Sequence, residues 1–456
     1  MTTLLFQAKA ATAFAASSKL QLPPIHESRT TSGITVLSAE RGPLPLVAIR
    51  LVIRAGSAQD PADKHGLADF TARLLRRGTV KRSADELDEA VEFVGASLSV
   101  GVSEDAFSVY VTTPVEHFAP MLEIMGELVR EPSFPANEVK MARERALAQF
   151  ANDLDDASLI ADRAFARALW GDHPYGHEVG GSAAHVKTFT REDVVRFHGQ
   201  HLGPRIAQLV VVGAVNAQDV TREAERVFGK WKGGPETAPV VPPIEKIARP
   251  GQVLLVDKPD QSQSQVRIGG RGFRVGHPDY FPAVATNIAL GGGFISRLVD
   301  EIRVNRGLSY GAESFFDSLA AGGVFGVSTF TKTESTREII DVALEEVRKV
   351  RESGITAREL KSGQTYLSGL YPLRTETNES VASGISDSRL NGLGDDWVEK
   401  FRDRLKAVTV KEAAAVAGKY FLADKPTIVV LGKASEVKKQ LKGLGPLTVV
   451  PASDYE

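Results

Sequence analysis

The chain has 456 residues, enough for about two to four domains at roughly 100–200 residues each. Its 55 Lys and Arg side chains nearly balance its 57 Asp and Glu side chains, and the net charge of −2 gives no strong field that would favour nucleic acid or an anionic membrane. Because the chain has no cysteine, disulfides, thiolate metal sites and cysteine nucleophiles are excluded.

The chain begins with an Ala-rich stretch that lacks both a charged start and a continuous apolar core, so it does not have the pattern of a signal peptide. We interpret residues 1–30 as an N-terminal extension. No run of about 18 or more apolar residues is present, which predicts that no segment spans a membrane. We therefore expect a cytoplasmic protein, with the periplasm as the alternative.

Strand-like and helical segments alternate in the first half of the chain. In chain order the predicted elements are a strand within 47–60, a helix at 65–77, a hairpin at 96–113, an amphipathic helix at 115–130 and a long helix from Ala136 past Phe150. The helix at 65–77 has an apolar stripe with a period of 3.6 residues, formed by Leu67, Phe70, Thr71, Leu74 and Leu75.

The second half repeats this plan. Its predicted elements are a strand at 264–273, helices at 281–290 and 294–304, a hairpin at 308–332 and a helix between a capping box, Ser335 with Glu338, and Gly354. One side of the helix at 294–304 is predicted to be apolar and consists of Ile295, Leu298, Val299 and Ile302.

Each half ends in a hydrophobic strand followed by glycine, at 207–215 and 426–434. The Pro-rich segment 236–251 between the halves is predicted to be a linker, so that the first domain covers 31–235 and the second 252–456. We predict an α+β fold with two homologous α/β-sandwich halves, whose helices pack on mainly antiparallel sheets. The binding space is expected to lie between the halves.

The order and spacing of these pieces resemble the insulinase/pitrilysin (inverzincin) metallopeptidase family, in the branch of the mitochondrial processing peptidase. The resemblance covers about residues 30–440. It is strongest at "GLADFTARLLRRGT" (66–79), "HPYGHEVGG" (173–181), "GGGFISRLVDEIRVNRGLSYGAESFF" (291–316) and the strand ends "VVVG" and "VVLG".

In active members of this family, H-x-x-E-H on the first helix supplies two zinc ligands and a general base. Laid onto this chain, the three motif positions are Asp69, Ala72 and Arg73, and a later Glu ligand falls near Gln149–Phe150. Neither H-x-x-E-H nor H-E-x-x-H occurs in the sequence. We expect no metal here and an ion pair between Asp69 and Arg73 instead. His65, four residues earlier, is interpreted as a helix-start or surface residue.

The family also places an Arg and, seven residues later, a Tyr from the second half against the substrate. Here "RVNRGLSY" supplies Arg303 and Tyr310 at this spacing, with Arg306 as an alternative partner. A Tyr hydroxyl can donate to the oxygen that becomes negative as water attacks a peptide carbonyl, and Arg offers a planar set of donors. Without the resemblance, Tyr310 would be a core aromatic and Arg303 a solvated charge at a helix end.

Two further motifs have alternative interpretations. "LGGGF" lacks the features of a P-loop or dinucleotide fingerprint and by itself indicates a glycine turn, whereas the resemblance implies a flexible, substrate-binding loop of Gly291, Gly292 and Gly293. In "HPYGHEVGG", His173, His177 and Glu178 lack a further metal ligand, and we predict a structured loop.

The resemblance therefore implies the zinc-free subunit of a heterodimeric zinc endopeptidase. Its expected partners are a homologous subunit that bears H-x-x-E-H and zinc, and peptide substrates, but neither nucleic acid nor membrane. Arg303 and Tyr310 would act in trans, and the chain alone would be inactive. The alternative is a catalytically inert structural or peptide-binding subunit, like the core proteins of a respiratory complex.

Overall fold

The structure, a computed structural model, describes residues 22–394, 396–422 and 425–455. The Ala-rich stretch at the start of the sequence lies outside the described residues, as does most of the predicted extension 1–30. The first sheet begins within that extension, because Ile25–Arg29 is a strand paired with Thr35–Glu40. No helix of the described ranges combines the length and the apolarity needed to cross a bilayer.

Each half contains one mixed sheet of six strands. The strands of the first half are β1 (Ile25–Arg29), β2 (Thr35–Glu40), β3 (Leu46–Ile53), β4 (Ser97–Val102), β5 (Phe107–Pro114) and β6 (Ala207–Gly213). Those of the second half are β7 (Val253–Asp257), β8 (Gln263–Arg271), β9 (Ala312–Ser318), β10 (Gly323–Lys332), β11 (Thr427–Gly432) and β12 (Leu447–Pro451).

Helices surround both sheets. Those of the first half are α1 (Leu67–Leu75), α2 (Ala84–Phe93), α3 (Phe118–Arg130), α4 (Ala136–Asp153), α5 (Ala157–Trp170), α6 (Ala183–Val186), α7 (Arg191–His201) and α8 (Ala217–Phe228). Those of the second are α9 (Tyr280–Asn287), α10 (Thr336–Ser353), α11 (Ala357–Leu370), α12 (Asn378–Leu390), α13 (Trp397–Ala407), α14 (Val410–Tyr420) and α15 (Ala434–Val437). Two π-helical turns, Ile288–Gly292 and Val299–Asn305, follow α9.

The two sheets share one plan, which confirms the predicted duplication. Their strand orders are β1-β2-β6-β3-β5-β4 and β12-β7-β11-β8-β10-β9, so β3 and β8 occupy equivalent positions, as do β6 and β11. Antiparallel pairs predominate, and the parallel pairs are β2 with β6, β7 with β11 and β7 with β12. The predicted α+β fold class is therefore correct.

The central strands are buried on both faces, which explains why they appear in the sequence as continuous apolar runs. Every residue of β11 is buried, and β6 and β3 are nearly as enclosed. The second face of each sheet is covered by a helix from the other half. Val381, Ala382 and Ile385 of α12 pack on the first sheet. In the same way, α5 packs on the second sheet, through Ile160, Phe165 and Leu169 among others.

We call α5 and α12 the exchanged helices, because each packs on the sheet of the other half. A buried arginine binds each exchanged helix to the sheet that it covers. Arg50 on β3 donates from Nη1 to Asp387 Oδ1 at 2.8 Å and to the Ser383 carbonyl at 3.1 Å, both on α12. The equivalent Arg267 on β8 donates from Nη2 to Ser158 Oγ at 2.7 Å and from Nε to Asp162 Oδ1 at 2.5 Å, both on α5.

Two local expectations were wrong. The segment 294–304 is not a regular α-helix, because it winds as a π-helix over Val299–Asn305, and Ile295 is 85% exposed instead of buried. The Ser335 side chain caps nothing, since a 3₁₀ turn leads into α10, and Glu338 binds Arg306 at 3.2 Å. The linker 236–251 has neither helix nor strand, yet Ile247 is buried against α5 and the second sheet.

Candidate functional site

Helix α1 has the predicted amphipathic form. All five residues of its apolar stripe are buried, and so is Ala72, at 1% exposure. The expected ion pair is present, with Arg73 Nε 2.6 Å from Asp69 Oδ2. The start of the helix is held by the Asp60 carboxylate, which accepts hydrogen bonds from the backbone N–H groups of Gly66 and Ala68 at 2.6 and 2.8 Å.

A cavity of about 500 Å³, which we name the α1 cavity, opens on this face of the helix. Asp69 and Arg73 line it together with Gln149, Phe150 and, from the second half, Asp317. The fold therefore brings the positions of the metal motif on α1 and the later ligand position on α4 to the same cavity, as the family pattern predicts.

The donor set at these positions does not fit zinc. Ala72 has no donor atom, Asp69 is engaged by a cation, and the Gln149 amide donates to Asp153 Oδ1 at 2.7 Å. An adjacent guanidinium also repels a divalent ion. Within the described ranges, no three His, Asp or Glu side chains are grouped closely enough to hold a metal.

Arg163 also lines the α1 cavity, where it binds two acidic side chains. Its side chain is only 9% exposed and binds both Asp153, at 2.8 Å, and Glu178. Burial raises the pKa of Glu178, and the Arg163 charge opposes that shift. Burial also raises the pKa of Glu104 in the same cavity, where the Asp317 carboxylate adds a like charge. The cavity therefore disfavours further negative charge.

The segment 173–181 is a structured loop, as predicted. His173 Nδ1 accepts a hydrogen bond from the Tyr175 N–H at 3.1 Å, and the Tyr175 hydroxyl donates to Asp105 Oδ1 at 2.5 Å. The His177 ring stacks on His65 with centroids 4.0 Å apart, so these two imidazoles pack together instead of converging on a metal.

No pattern in the sequence indicates this cluster of histidines. His65 lies at the start of α1, as expected, but it is half-buried and also contacts His185, ring to ring, at 4.9 Å. Burial and the neighbouring His177, His185 and Arg167 lower the pKa of His65 to about 4. His65 is far in sequence from His177 and His185, and only the tertiary fold brings it to them.

Arg303, Tyr310 and the three glycines of 291–293 lie around a second cavity, of about 480 Å³, which we name the Tyr310 cavity. Tyr310 is 86% exposed and is therefore not a core aromatic. The turn that carries it is fixed at Gly311, whose carbonyl accepts hydrogen bonds from Ser309 Oγ and Thr329 Oγ1 at 2.9 and 2.8 Å.

The two arginines considered as partners of Tyr310 have different surroundings. Arg306 is bound to Glu301 at 2.8 Å and to Glu338 at 3.2 Å. Arg303 lies at the end of the second π-helical turn, and its guanidinium carbon is 5.2 Å from the centroid of the Phe294 ring. Arg303, not Arg306, lines the Tyr310 cavity.

The glycines are packed more tightly than the resemblance implied. A Cβ on Gly291 would lie 2.6 Å from both the backbone nitrogen and the hydroxyl of Ser314 on β9, and one on Gly292 would lie 2.7 Å from Asn287 Nδ2. Asn287 in turn donates to the Ser314 carbonyl at 2.8 Å. Gly291 and Gly292 thus belong to a π-helical turn packed against the sheet.

The two cavities have no lining residue in common. Among the described residues, the predicted catalytic pair therefore does not line the α1 cavity of its own chain. A salt bridge links the two linings, since Arg267 at the Tyr310 cavity binds Asp162 at the α1 cavity.

Sequence comparison identifies the family. The sequence model described as insulinase, peptidase family M16, matches residues 35–182, and the model described as peptidase M16 inactive domain matches residues 188–367. The chain belongs to the M16 insulinase family. The M16 matches together span both halves of the molecule.

Curated M16 relatives are similar over most of their length. An uncharacterized zinc protease of Mycobacterium tuberculosis strain H37Rv is 28% identical over 409 residues, which are 89% of this chain and 92% of the relative. An uncharacterized zinc protease of Streptomyces coelicolor is 25% identical over 382 residues, which are 83% of each chain.

Solved structures agree with the M16 assignment. The crystal structure of a peptidase M16 inactive domain from Pseudomonas fluorescens superposes with a TM-score of 0.84 at 25% identity, covering 90% of this chain and 98% of that one. A Helicobacter pylori protease has the same fold, with a TM-score of 0.81 at 21% identity over 90% of this chain and 100% of that one.

Proposed function

We propose that this chain is the zinc-free subunit of a two-chain zinc endopeptidase. Arg303 and Tyr310 would bind peptide at the zinc site of a homologous subunit that bears H-x-x-E-H. The observation that carries the proposal is a contrast between the two cavities. The metal positions of the α1 cavity hold an Asp–Arg ion pair and a buried Ala72, while Arg303 and the exposed Tyr310 line the Tyr310 cavity.

The chemistry assigned to this chain needs no metal of its own. The Tyr310 hydroxyl donates a hydrogen bond to the scissile carbonyl oxygen, and that bond strengthens as the oxygen gains negative charge. The Arg303 guanidinium offers paired N–H donors to a peptide carbonyl or carboxylate and holds the chain in place. The partner's zinc would supply the activated water.

Action in trans is supported by geometry within the described residues. The Tyr310 cavity and the α1 cavity share no lining residue, so Arg303 and Tyr310 do not line the cavity that contains the degenerate motif. With 86% of its surface exposed, Tyr310 is available to a second molecule. The zinc protease names of the curated relatives support peptide hydrolysis as the reaction of the assembly.

The first test is reconstitution. The purified chain is assayed with unstructured peptides alone and with a co-expressed homologue that bears H-x-x-E-H, with and without a chelator. We expect cleavage only with both subunits and only without chelator. A correctly assembled pair that cleaves no peptide would favour the inert structural or peptide-binding subunit instead.

A second test addresses the role of Tyr310. In the assembled pair, Tyr310→Phe removes one donor to the developing oxyanion, and we expect kcat to fall by about 10²–10³-fold with assembly unchanged. Tyr366→Phe on α11 is the matched control, since Tyr366 is 47% exposed and lines neither cavity. Wild-type kcat in the Tyr310→Phe pair would disprove the assigned role.

A further inference from the structure

We propose that Phe294 is a positioning residue for Arg303, whose guanidinium it holds at the mouth of the Tyr310 cavity so that a peptide meets a cation already in place. The proposal rests on the proposed function of Arg303. Its structural basis is a cation–π contact, with the Arg303 Cζ 5.2 Å from the centroid of the Phe294 ring.

The ring is the only partner of Arg303 within the described ranges, since no ion pair or hydrogen bond engages its guanidinium there. Neighbouring Arg306 differs, because Glu301 and Glu338 both bind it. A long side chain without partners samples many rotamers, and ordering it on binding costs free energy. A fixed aromatic face reduces that cost before the peptide arrives.

The position of Phe294 follows from the packing of the residues before it. Gly291 lies so close to β9 that a Cβ would be 2.6 Å from the Ser314 backbone nitrogen. Gly293, which follows this packed turn, is extended, and the next residue, Phe294, lines the Tyr310 cavity. Phe294 remains 74% exposed, so its ring is accessible to the Arg303 guanidinium.

The contact with Phe294 leaves the N–H donors of Arg303 available, since none of them makes a hydrogen bond within the described ranges. A guanidinium stacks on an aromatic ring through its π surface, while its N–H donors point outward in the plane. Because an acceptor on a peptide approaches those in-plane donors, the ring contact and the peptide contact do not compete. Phe294 is therefore assigned to positioning, and contact with the peptide is assigned to Arg303.

The contact itself is tested on the isolated chain, without a partner. With ¹³C-labelled arginine, the Arg303 side-chain protons should be shifted upfield by the ring current of Phe294 and should return to ordinary values in Phe294→Leu. An Arg303 spectrum that is the same in both proteins would overturn the inference and leave the proposed function untouched.

The contribution of the Phe294–Arg303 contact to peptide binding is tested by a double-mutant cycle in the assembled pair. A fluorescein-labelled peptide that the pair cleaves is titrated after removal of zinc with a chelator, so that binding is measured without turnover. Phe294→Leu should raise Kd about 2- to 5-fold, the range of an exposed cation–π contact, and Phe294→Trp should keep wild-type affinity. In an Arg303→Ala background, Phe294→Leu should change nothing further.

Each remaining outcome decides between the claims. If Phe294→Leu weakens binding equally with and without Arg303, the ring acts on the peptide or the loop directly, and the positioning role is wrong. If Arg303→Ala itself leaves Kd and turnover unchanged, the proposed function of Arg303 fails. Phe93→Leu is the matched control for losing an exposed aromatic ring, since Phe93 is 89% exposed and lines neither cavity.

Discussion

Two arginines at the α1 cavity show how burial decides what an ion pair contributes. The Arg73 side chain is 60% exposed, and its pair with Asp69 lies within one helical turn. Water screens such a pair, and the long side chain loses rotamer freedom to form it. Arg163, by contrast, is 9% exposed and binds two carboxylates, those of Asp153 and Glu178. Its loss leaves both acids unpaired beside an apolar wall.

We therefore expect Arg73→Ala to lower the free energy of unfolding by at most about 0.5 kcal/mol, and Arg163→Ala by about 3–5 kcal/mol. Urea unfolding at neutral pH measures both, and each variant is the control for the other. Equal costs would mean that the Asp69–Arg73 pair supports the fold and does not merely occupy the former metal positions.

At the scale of elements, the contact between α1 and the loop 173–181 depends on neutral imidazoles. His65 and His177 stack at 4.0 Å, which is unfavourable once both rings carry charge. Since the folded-state pKa of His65 is about 4, below the unfolded value of roughly 6.5, the unfolded chain binds more protons between these values. The stabilisation is complete above about pH 6.5 and is lost as the pH falls toward 4.

His65→Phe should keep a stacked ring on His177 while removing this titration. We expect the urea midpoint to fall less between pH 7.5 and 4.5 in this variant than in the wild type. His26→Phe, at an exposed position on β1, controls for the loss of an imidazole as such. A His65→Phe midpoint that falls as steeply as the wild-type midpoint would contradict the assignment.

How far the elements could be predicted depended on whether their pattern was local. The stripe of α1 and the apolar runs of β6 and β11 follow from spacing alone, and the Asp69–Arg73 pair follows from an i,i+4 step. Ile295 was misassigned because it lies in a bend before the helical winding begins, whereas Leu298, Val299 and Ile302 are buried as predicted. Sequence periodicity did not mark where the helix starts, nor that Val299–Asn305 winds as a π-helix.

The candidate site divides in the same way. Arg303, Tyr310 and the glycines were assigned from the resemblance to the family, and the fold places them around one cavity. The contact of Phe294 with Arg303 and the stack of His65 on His177 could not be found from the sequence, because each depends on backbone packing between segments whose spacing carries no pattern.

At the scale of the whole molecule, the halves are joined by an exchange of helices. Arg50 on β3 fastens α12, and Arg267 at the equivalent position on β8 fastens α5. Arg267 has the fuller set of acceptors, which includes the Val266 and Thr329 carbonyls. The Nε of Arg50 is buried and finds no acceptor among the described residues. The contacts of Arg267 with α5 should therefore stabilise the fold more than those of Arg50 with α12.

We expect Arg267→Met to lower the free energy of unfolding by about 1.5–3 kcal/mol, the range for hydrogen bonds to charged groups, and Arg50→Met to cost less. Arg50 and Arg267 lie on different sheets, so the two changes in unfolding free energy should add in the double variant within roughly 0.5 kcal/mol. Chemical denaturation measures all three variants. Arg348→Met is the control, because the Arg348 side chain on α10 is 48% exposed. A larger free-energy cost for Arg50→Met than for Arg267→Met would refute the ranking.

The exchanged helices also set the order in which the newly made chain can complete its fold. All strands of the first sheet precede residue 214, but one face of that sheet, which includes Leu37, Val210 and Val212, is covered by Asn378–Leu390. Until that distant segment has emerged from the ribosome, this apolar face of the first sheet stays uncovered. Most of the polypeptide must thus be synthesised before the second face of its first sheet is covered, and a chain truncated before α12 would leave that surface open to aggregation.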